Sequence, residues 1–393
     1  VARDVYLCGA ARTPTGRFLG ALSSLSAPQL GAIAARAALA RAGLSGAEID
    51  EVIFGNVVSA GVGQAPARQA ALAAGIPAEV SALTINKVCG SGLKAIALAA
   101  QAIRAGDANL ILAGGMESMS QAPYLLRQAR TGYRLGDGQI VDAVVHDGLW
   151  CATEQWHMGN AAEHIANVFG ISREEQDAYA LRSQQRAVAA QAACRFSAEI
   201  VPVEVAQRGG MVRVERDETP RPDTTLEALA RLKPAFTPDG SVTAGNAPGL
   251  SDGAAAVVVA SAQAVERHGL QPLARITGYT SASLEPKLLF AAPPRAIQRL
   301  LDRTGLQLSD FDLIEVNEAF AAQVLANGRE LQWDWDRVNV NGGAIALGHP
   351  IGATGARLVV SILHALRDRG GRRGLVSLCL GGGGAVAASL ELV

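Results

Sequence analysis

Aromatic side chains are scarce, 4% of 393 residues, so a large core has to be assembled from closely packed Ala, Val, Leu and Ile. An excess of either charge is lacking too. Lys plus Arg number 35 against 36 Asp plus Glu, which leaves no global field to draw a nucleic acid or an anionic membrane surface and excludes large polyanions as expected partners. No apolar run approaches the ~20 residues needed to cross a bilayer. The opening Val1-Ala2-Arg3-Asp4-Val5-Tyr6-Leu7 reads as a first strand rather than a signal peptide, and the closing Leu390-Glu391-Leu392-Val393 is not a peroxisomal tripeptide. Cys8, Cys89, Cys151, Cys194 and Cys379 are the five cysteines, widely scattered and without a C-x-x-C pair. That pattern speaks against a disulfide framework and for a reducing, cytoplasmic compartment.

What is present is length, apolar content and repetition. The chain has room for two or three domains, and 49% of its residues are apolar. Arg41-Ala42-Gly43-Leu44, followed by Glu48-Ile49-Asp50 and Val52-Ile53-Phe54, is answered 262 residues later by Arg303-Thr304-Gly305-Leu306, Asp310-Phe311-Asp312 and Ile314-Glu315-Val316. Ser91-Gly92-Leu93-Lys94 is answered at an offset of 263 by Thr354-Gly355-Ala356-Arg357. One unit has been used twice. Each copy alternates strand and helix patterns, which predicts α/β layers with largely parallel strands. The apolar helices predicted at Gly92–Arg104 and Ala353–Leu366 should be almost wholly buried. Two similar sheets sharing a layer of central helices is the economical arrangement, and it would bring Cys89 and His349 toward a common centre.

Between the copies, from about Ser120 to Gly249, lies a stretch rich in proline and polar residues. One helix is predicted there, Arg173 to Ala193, with a capping box of Ser172 and Glu175. Arg208, Arg213, Arg216, Arg221 and Lys233 give it local positive charge, which suits either phosphate groups or a solvated basic face.

Cys89 stands in Asn86-Lys87-Val88-Cys89-Gly90-Ser91-Gly92, at the start of a buried helix where the dipole and free backbone N–H groups favour a thiolate. Free cysteine more often acts as a small buried hydrophobe. His349, in Gly348-His349-Pro350-Ile351-Gly352, is a lone histidine at the mouth of a glycine-rich approach to the matching helix, a place suited to a general base. Cys379 ends a buried strand before Gly381-Gly382-Gly383-Gly384. Asn317, in Asn317-Glu318-Ala319-Phe320, falls between strand and helix, where its ordinary role is an N-cap.

Taken in order, these four segments resemble the thiolase family of acyl-CoA C-acyltransferases, and the resemblance covers essentially the whole chain. Arg12-Thr13-Pro14, Gly114-Gly115-Met116-Glu117-Ser118-Met119-Ser120, Trp156-His157-Met158-Gly159 and Thr243-Ala244-Gly245-Asn246 are similar as well. The resemblance implies a duplicated fold of two mixed sheets in a layered α-β-α-β-α arrangement, with an inserted loop domain at 120–249. The N-terminal half would comprise 1–119 plus about 250–270, and the C-terminal half 271–393. It further implies that Cys89, activated by His349, takes up the acyl group as a thioester. Cys379 would be the base at the α-carbon of acetyl-CoA. His349 with a water held by Asn317 would polarise one thioester oxygen, and the backbone N–H groups of Cys89 and Gly381 the other. Such Claisen chemistry needs a nucleophile, a base and donors for two oxyanions. His157, Met158, Arg221, Phe236, Ala247, Ala319 and Phe320 match positions lining the coenzyme A site, with Arg221 toward the nucleotide end. No metal or resident cofactor is implied. Acyl-CoA and CoA are the expected partners, in a homodimer or a tetramer built from dimers.

Three departures stand out. Pro248 and Ala228 occupy positions where the family commonly has serines that hydrogen-bond coenzyme A. Leu288-Leu289-Phe290-Ala291-Ala292-Pro293 replaces a Met-Gly-x-Gly-Pro type of sequence beside the acyl pocket. If Phe290 points inward, the pocket should favour short acyl chains; if outward, it says nothing. Two rival readings remain on the sequence. A decarboxylating condensing enzyme of the ketoacyl-synthase type would normally place a second histidine where this chain has Asn317, and Cys379 has no purpose in its chemistry. A non-catalytic acyl-CoA-binding protein would be expected to have lost one of the four catalytic candidates. A dinucleotide-binding loop is weaker still, since neither glycine run gives G-x-G-x-x-G after a strand with an acid downstream.

Overall fold

The computed structural model describes residues 3–393. Nine strands carry the architecture: β1 (Val5–Arg12), β2 (Glu51–Gly55), β3 (Ser81–Ile85), β4 (Leu110–Ser118), β5 (Ser251–Ser261), β6 (Ala274–Ser283), β7 (Leu313–Val316), β8 (Arg373–Leu380) and β9 (Gly384–Leu392). The expectation that the first strand begins at Val1 and Ala2 lies outside the described residues. Seven helices matter for the site: α1 (Ala27–Ala42), α2 (Ser91–Ala105), α3 (Met158–Phe169), α4 (Arg173–Ala192), α5 (Ala292–Thr304), α6 (Ala321–Leu331) and α7 (Ile351–Arg369).

The N-terminal copy orders its strands β1-β5-β4-β2-β3, and the C-terminal copy β6-β9-β8-β7. In each, the first two neighbours pair antiparallel and the outer ones parallel. The missing fifth strand of the second copy survives as a single parallel bridge between Ile314 and Val338. β1 and β6 meet over two residue pairs, Tyr6 with Arg275 and Leu7 with Ala274, so the two sheets touch edge to edge through a short seam.

Strand alternation sorts the side chains into layers. Ile111, Ala113, Val257 and Val259 of one sheet and Val376, Leu378, Val386 and Ala388 of the other face a shared core with Leu93, Ile96, Leu358 and Leu363 of α2 and α7. Leu110, Leu112 and Val258 face outward onto α1. Leu375, Ala385 and Ala387 face outward onto α5 and α6. This is the α-β-α-β-α stack, with α2 and α7 as its middle layer.

The two middle helices cross at glycines related by the repeat. A Cβ on Gly92 would fall 2.6 Å from the Ala356 nitrogen, and one on Gly355 would fall 2.5 Å from the Leu93 nitrogen. Only hydrogen fits at this contact.

The segment between the copies holds more helix than the sequence reading allowed. Besides α4, whose capping box of Ser172 and Glu175 forms, α3 and a short helix at Leu226–Ala230 are present. Ala161, Ala162, Ile165 and Ala166 of α3 pack on Ala322 and Ala326 of α6, so tertiary burial rather than intrinsic propensity makes this helix. Glu318 fastens α4 to the core. Its carboxylate accepts from the Tyr179 and Ser183 hydroxyls at 2.8 and 2.7 Å, from the Asn339 amide at 3.0 Å and from the Ile345 N–H at 3.0 Å. Buried Arg12 fastens a second point, through Asp217 and Glu199, both at 2.6 Å.

Candidate active site

Cys89 and His349 each stand two residues before a middle helix, α2 and α7 respectively. The turn that presents Cys89 is strained. Val88 has φ of 48°, a left-handed conformation that β-branched residues rarely adopt. Neighbouring hydrogen bonds impose it. The Val88 N–H donates to Asn86 Oδ1 at 2.9 Å, while the Ser91 hydroxyl accepts the Lys87 N–H at 2.8 Å and donates to the Val88 carbonyl at 2.6 Å. Such strain persists where the surroundings over-determine it, which is common at functional turns.

The resulting thiol is not a ready-made thiolate. Burial pushes Cys89 up to about 12, and the backbone N–H groups of Cys89 and Gly381, which pull the other way, do not compensate. Desolvation outweighs the helix-start dipole that favours the thiolate, and a base has to take the proton, the part expected of His349.

His349 is 8% exposed, and burial together with the Arg357 charge pushes it down to about 3, so the ring is neutral. Its proton can be assigned from the network. The Thr354 hydroxyl donates to the Pro350 carbonyl at 2.9 Å and lies 2.6 Å from His349 Nδ1. Having spent its hydrogen, it can only accept, which places the ring proton on Nδ1 and a lone pair on Nε2. Asn317 Nδ2 lies 3.4 Å from that Nε2. Asn317 is not the N-cap of the following helix, a position held by Phe320. Its Oδ1 is buried and, among the described residues, has no hydrogen-bond partner. Cys379, 1% exposed, is held well above the ordinary thiol range by burial and then by the nearby charge of Cys89.

A cavity of about 410 Å³ joins these groups. Cys89, His349, Cys379, Gly381, His157, Met158, Phe236, Ala247, Ala319 and Phe320 line it, ten of the twelve candidates read from sequence. His157 stacks on Phe236 with centroids 4.9 Å apart, and its Nδ1 accepts the Gly159 N–H at 3.0 Å to cap α3. Asn317 sits behind His349. Arg221 is exposed and borders a separate groove with Gln184, Gln185 and Val188.

Comparisons with known proteins identify the family. The model of the thiolase N-terminal domain matches residues 5–263, and that of the thiolase C-terminal domain residues 270–392. The chain belongs to the thiolase family. It is similar to an acetyl-CoA acetyltransferase of Pseudomonas aeruginosa, 55% identical over 389 residues and 99% of both chains. It is also similar to one of Cupriavidus necator, 52% identical over 99% of both. The crystal structure of the Bacillus anthracis acetyl-CoA acetyltransferase superposes with a TM-score of 0.98 at 45% identity, covering 100% of this chain and 99% of that one.

Several residues of this thiolase's site carried no role in the sequence reading. Glu117 is fully buried where the two copies meet. Its carboxylate accepts from Asn56 Nδ2 at 2.7 Å, from the Val57 and Val58 N–H groups at 3.1 Å and from the Gly352 N–H at the start of α7 at 2.8 Å. Burial pushes it up to about 7, while the backbone N–H groups pull it back. Thr354 is the tautomer partner described above. Met119, Leu149, Leu250 and Ile351 form the wall packed with Cys89. Of the departures from the thiolase pattern, Pro248 and Phe290 line the cavity, whereas Ala228 is exposed on its short helix and does not.

Proposed function

We propose that this acyltransferase catalyses the reversible condensation of two acetyl-CoA to acetoacetyl-CoA and CoA, and in reverse the thiolysis of 3-ketoacyl-CoA. The observation that carries the reading is the convergence of two thiols, one neutral imidazole and two backbone N–H groups on a single apolar cavity. His349 Nε2 takes the proton from Cys89 Sγ as the sulfur attacks the thioester carbon and keeps it, while Cys379 gives its own proton to the departing CoA sulfur and is left as the thiolate. The acyl group is left on Cys89. Cys379, as thiolate, then removes a proton from the α-carbon of acetyl-CoA. The carbanion attacks the Cys89 thioester, a carbon–carbon bond forms, and the Cys89 sulfur leaves, taking its proton back from His349 Nε2. The N–H groups of Cys89 and Gly381 would hold the oxyanion on the Cys89-bound carbon. His349 and Asn317 would hold that of the partner thioester, where preorganised donors in a dry site are most effective.

No observation favours a decarboxylating mechanism, which would need no base where Cys379 stands. Arg221, outside the cavity, would meet the nucleotide end of coenzyme A. A homodimer or tetramer is supported by the exposed edge strand β3, with Leu83 uncovered, and by exposed Tyr124, Leu126, Tyr133, Leu135 and Ile140. Five free cysteines support a reducing, cytoplasmic setting. Among the described residues no helix is long and apolar enough to cross a membrane.

The test is thiolysis across a series of 3-ketoacyl-CoA chain lengths, with mass spectrometry of the Cys89 peptide. An acyl adduct on Cys89, absent in Cys89→Ala, is expected. No adduct with any acyl-CoA refutes the mechanism.

A further inference from the structure

The cavity has two chemically different walls. Around Cys89 it is built from Met119, Leu149, Leu250 and Ile351. Around Cys379 it is built from Leu289, Phe290, Ala319 and Phe320. The second wall is aromatic and closely fitted. Phe290, 2% exposed, meets Phe320 edge to face at 5.4 Å, and Phe320 meets Phe236 in the same manner at 6.2 Å.

That wall is also fixed from behind. The Phe290 carbonyl accepts from Asn327 Nδ2 at 2.7 Å, Asn327 Oδ1 accepts from Gln323 Nε2 at 2.7 Å, and Gln323 Oε1 accepts the Ala319 N–H at 3.1 Å. Gln323 and Asn327 are completely buried on α6, so the relay ties the backbone of Phe290 to that of Ala319 and Phe320 through groups that would be costly to unpair. The backbone that carries the ring cannot withdraw without breaking it. By contrast, Leu149 comes from a half-buried π-helical turn, Val144–Leu149, next to the exposed stretch 126–140.

We propose that Phe290, resting on the thiolase reading above, is a specificity-determining residue that acts on the α-carbon of the substrate rather than on acyl chain length. The chemistry assigns the two walls different parts of a 3-ketoacyl-CoA. The carbon skeleton beyond C3 becomes the acyl group on Cys89 and runs along the Leu149 side. C2 is the carbon that exchanges a proton with Cys379, so a substituent on C2 meets Phe290 and Phe320. The enzyme therefore takes an unsubstituted acetyl unit as carbanion and rejects α-branched thioesters, while tolerating extension on the Cys89 side.

The experiment measures kcat/KM for thiolysis of acetoacetyl-CoA, 2-methylacetoacetyl-CoA and 3-ketohexanoyl-CoA by the full chain and by Phe290→Ala and Leu149→Ala. One methyl group in a fitted pocket is worth about 10-fold or more. Phe290→Ala should raise the ratio of 2-methylacetoacetyl-CoA to acetoacetyl-CoA by about that factor and leave the ratio of 3-ketohexanoyl-CoA to acetoacetyl-CoA within about twofold. Leu149→Ala should do the reverse. If Phe290→Ala shifts the chain-length ratio as much as the α-methyl ratio, or shifts neither, the proposal is overturned. Should Phe290→Ala fail to fold in a thermal melt, Phe290→Leu replaces it with the same ordering of ratios expected. Failure of the wild-type chain to cleave acetoacetyl-CoA would instead remove the underlying thiolase reading.

Discussion

Thr354 fixes the tautomer of His349: its hydroxyl, already donating to the Pro350 carbonyl, accepts from Nδ1 at 2.6 Å and turns the lone pair of Nε2 toward the cavity. The imidazole is thus aimed as a base before any substrate arrives. Thr354→Val keeps the shape and removes the acceptor, so the ring can flip or reprotonate. Misplacing a reacting group by about 1 Å costs on the order of 100-fold, and kcat should fall toward that limit with KM little changed. Thr354→Ser should restore most of it. A Thr354→Val enzyme with wild-type kcat would show that the tautomer needs no such partner.

Stability toward acid should carry the imprint of His349. In the folded chain its pKa is pushed from 6.5 down to about 3, so between those values the unfolded chain binds a proton that the folded chain refuses. The contribution is fully present above 6.5 and is lost as pH falls through the window. His364 and His157 are shifted in the same direction by burial. Melting temperature should decline steadily on that side, and less steeply for His349→Asn. Parallel pH profiles for the two proteins would contradict the buried neutral imidazole.

Glu117 gathers four donors, two on each oxygen. In Glu117→Gln one oxygen becomes an NH2 group that faces two donors instead of accepting from them. Each buried donor left unpaired costs about 1–3 kcal/mol, so two such groups predict a loss of about 2–6 kcal/mol in denaturant unfolding. Because Gly352 opens the helix that follows His349, kcat should drop along with stability. Unfolding free energy unchanged from wild type would mean that the carboxylate is not needed to join the two copies.

The layered fold and the pairing of Cys89 with His349 could be read from the chain because the signal was local and repeated. Gly92 and Gly355 stand at matching places in two copies of one motif, and their contact follows from the duplication. Asn317 was ambiguous for a local reason: a residue between strand and helix can cap, and only the position of Phe320 excludes it. Glu117 and Gly352 are 235 residues apart, and nothing in either motif announces the other. The same holds for the relay from Phe290 through Asn327 and Gln323, whose members look like ordinary polar residues of an amphipathic helix until α6 is found packed on both sides. At Cys89 only the pull of the helix start was visible in sequence, while the desolvation that outweighs it is a property of the assembled core.

Pro248 offers the most direct test of how this chain departs from its family. It lines the cavity between Ala247 and Gly249, where a serine hydroxyl could reach the pantetheine arm and proline offers only carbon. A recovered hydrogen bond is worth about 0.5–1.5 kcal/mol, so Pro248→Ser should lower KM for CoA in thiolysis by about 2- to 12-fold. Removing proline also loosens the unfolded chain and frees a backbone N–H, changes that would weaken stability without favouring the ligand. Pro248→Ala separates the two effects, since it shares the backbone change and lacks the hydroxyl. The expected order of affinity is Pro248→Ser above both wild type and Pro248→Ala. If Pro248→Ala improves CoA binding as much as Pro248→Ser, proline rigidity rather than the absent hydroxyl limits the site, and the hydrogen-bond account fails.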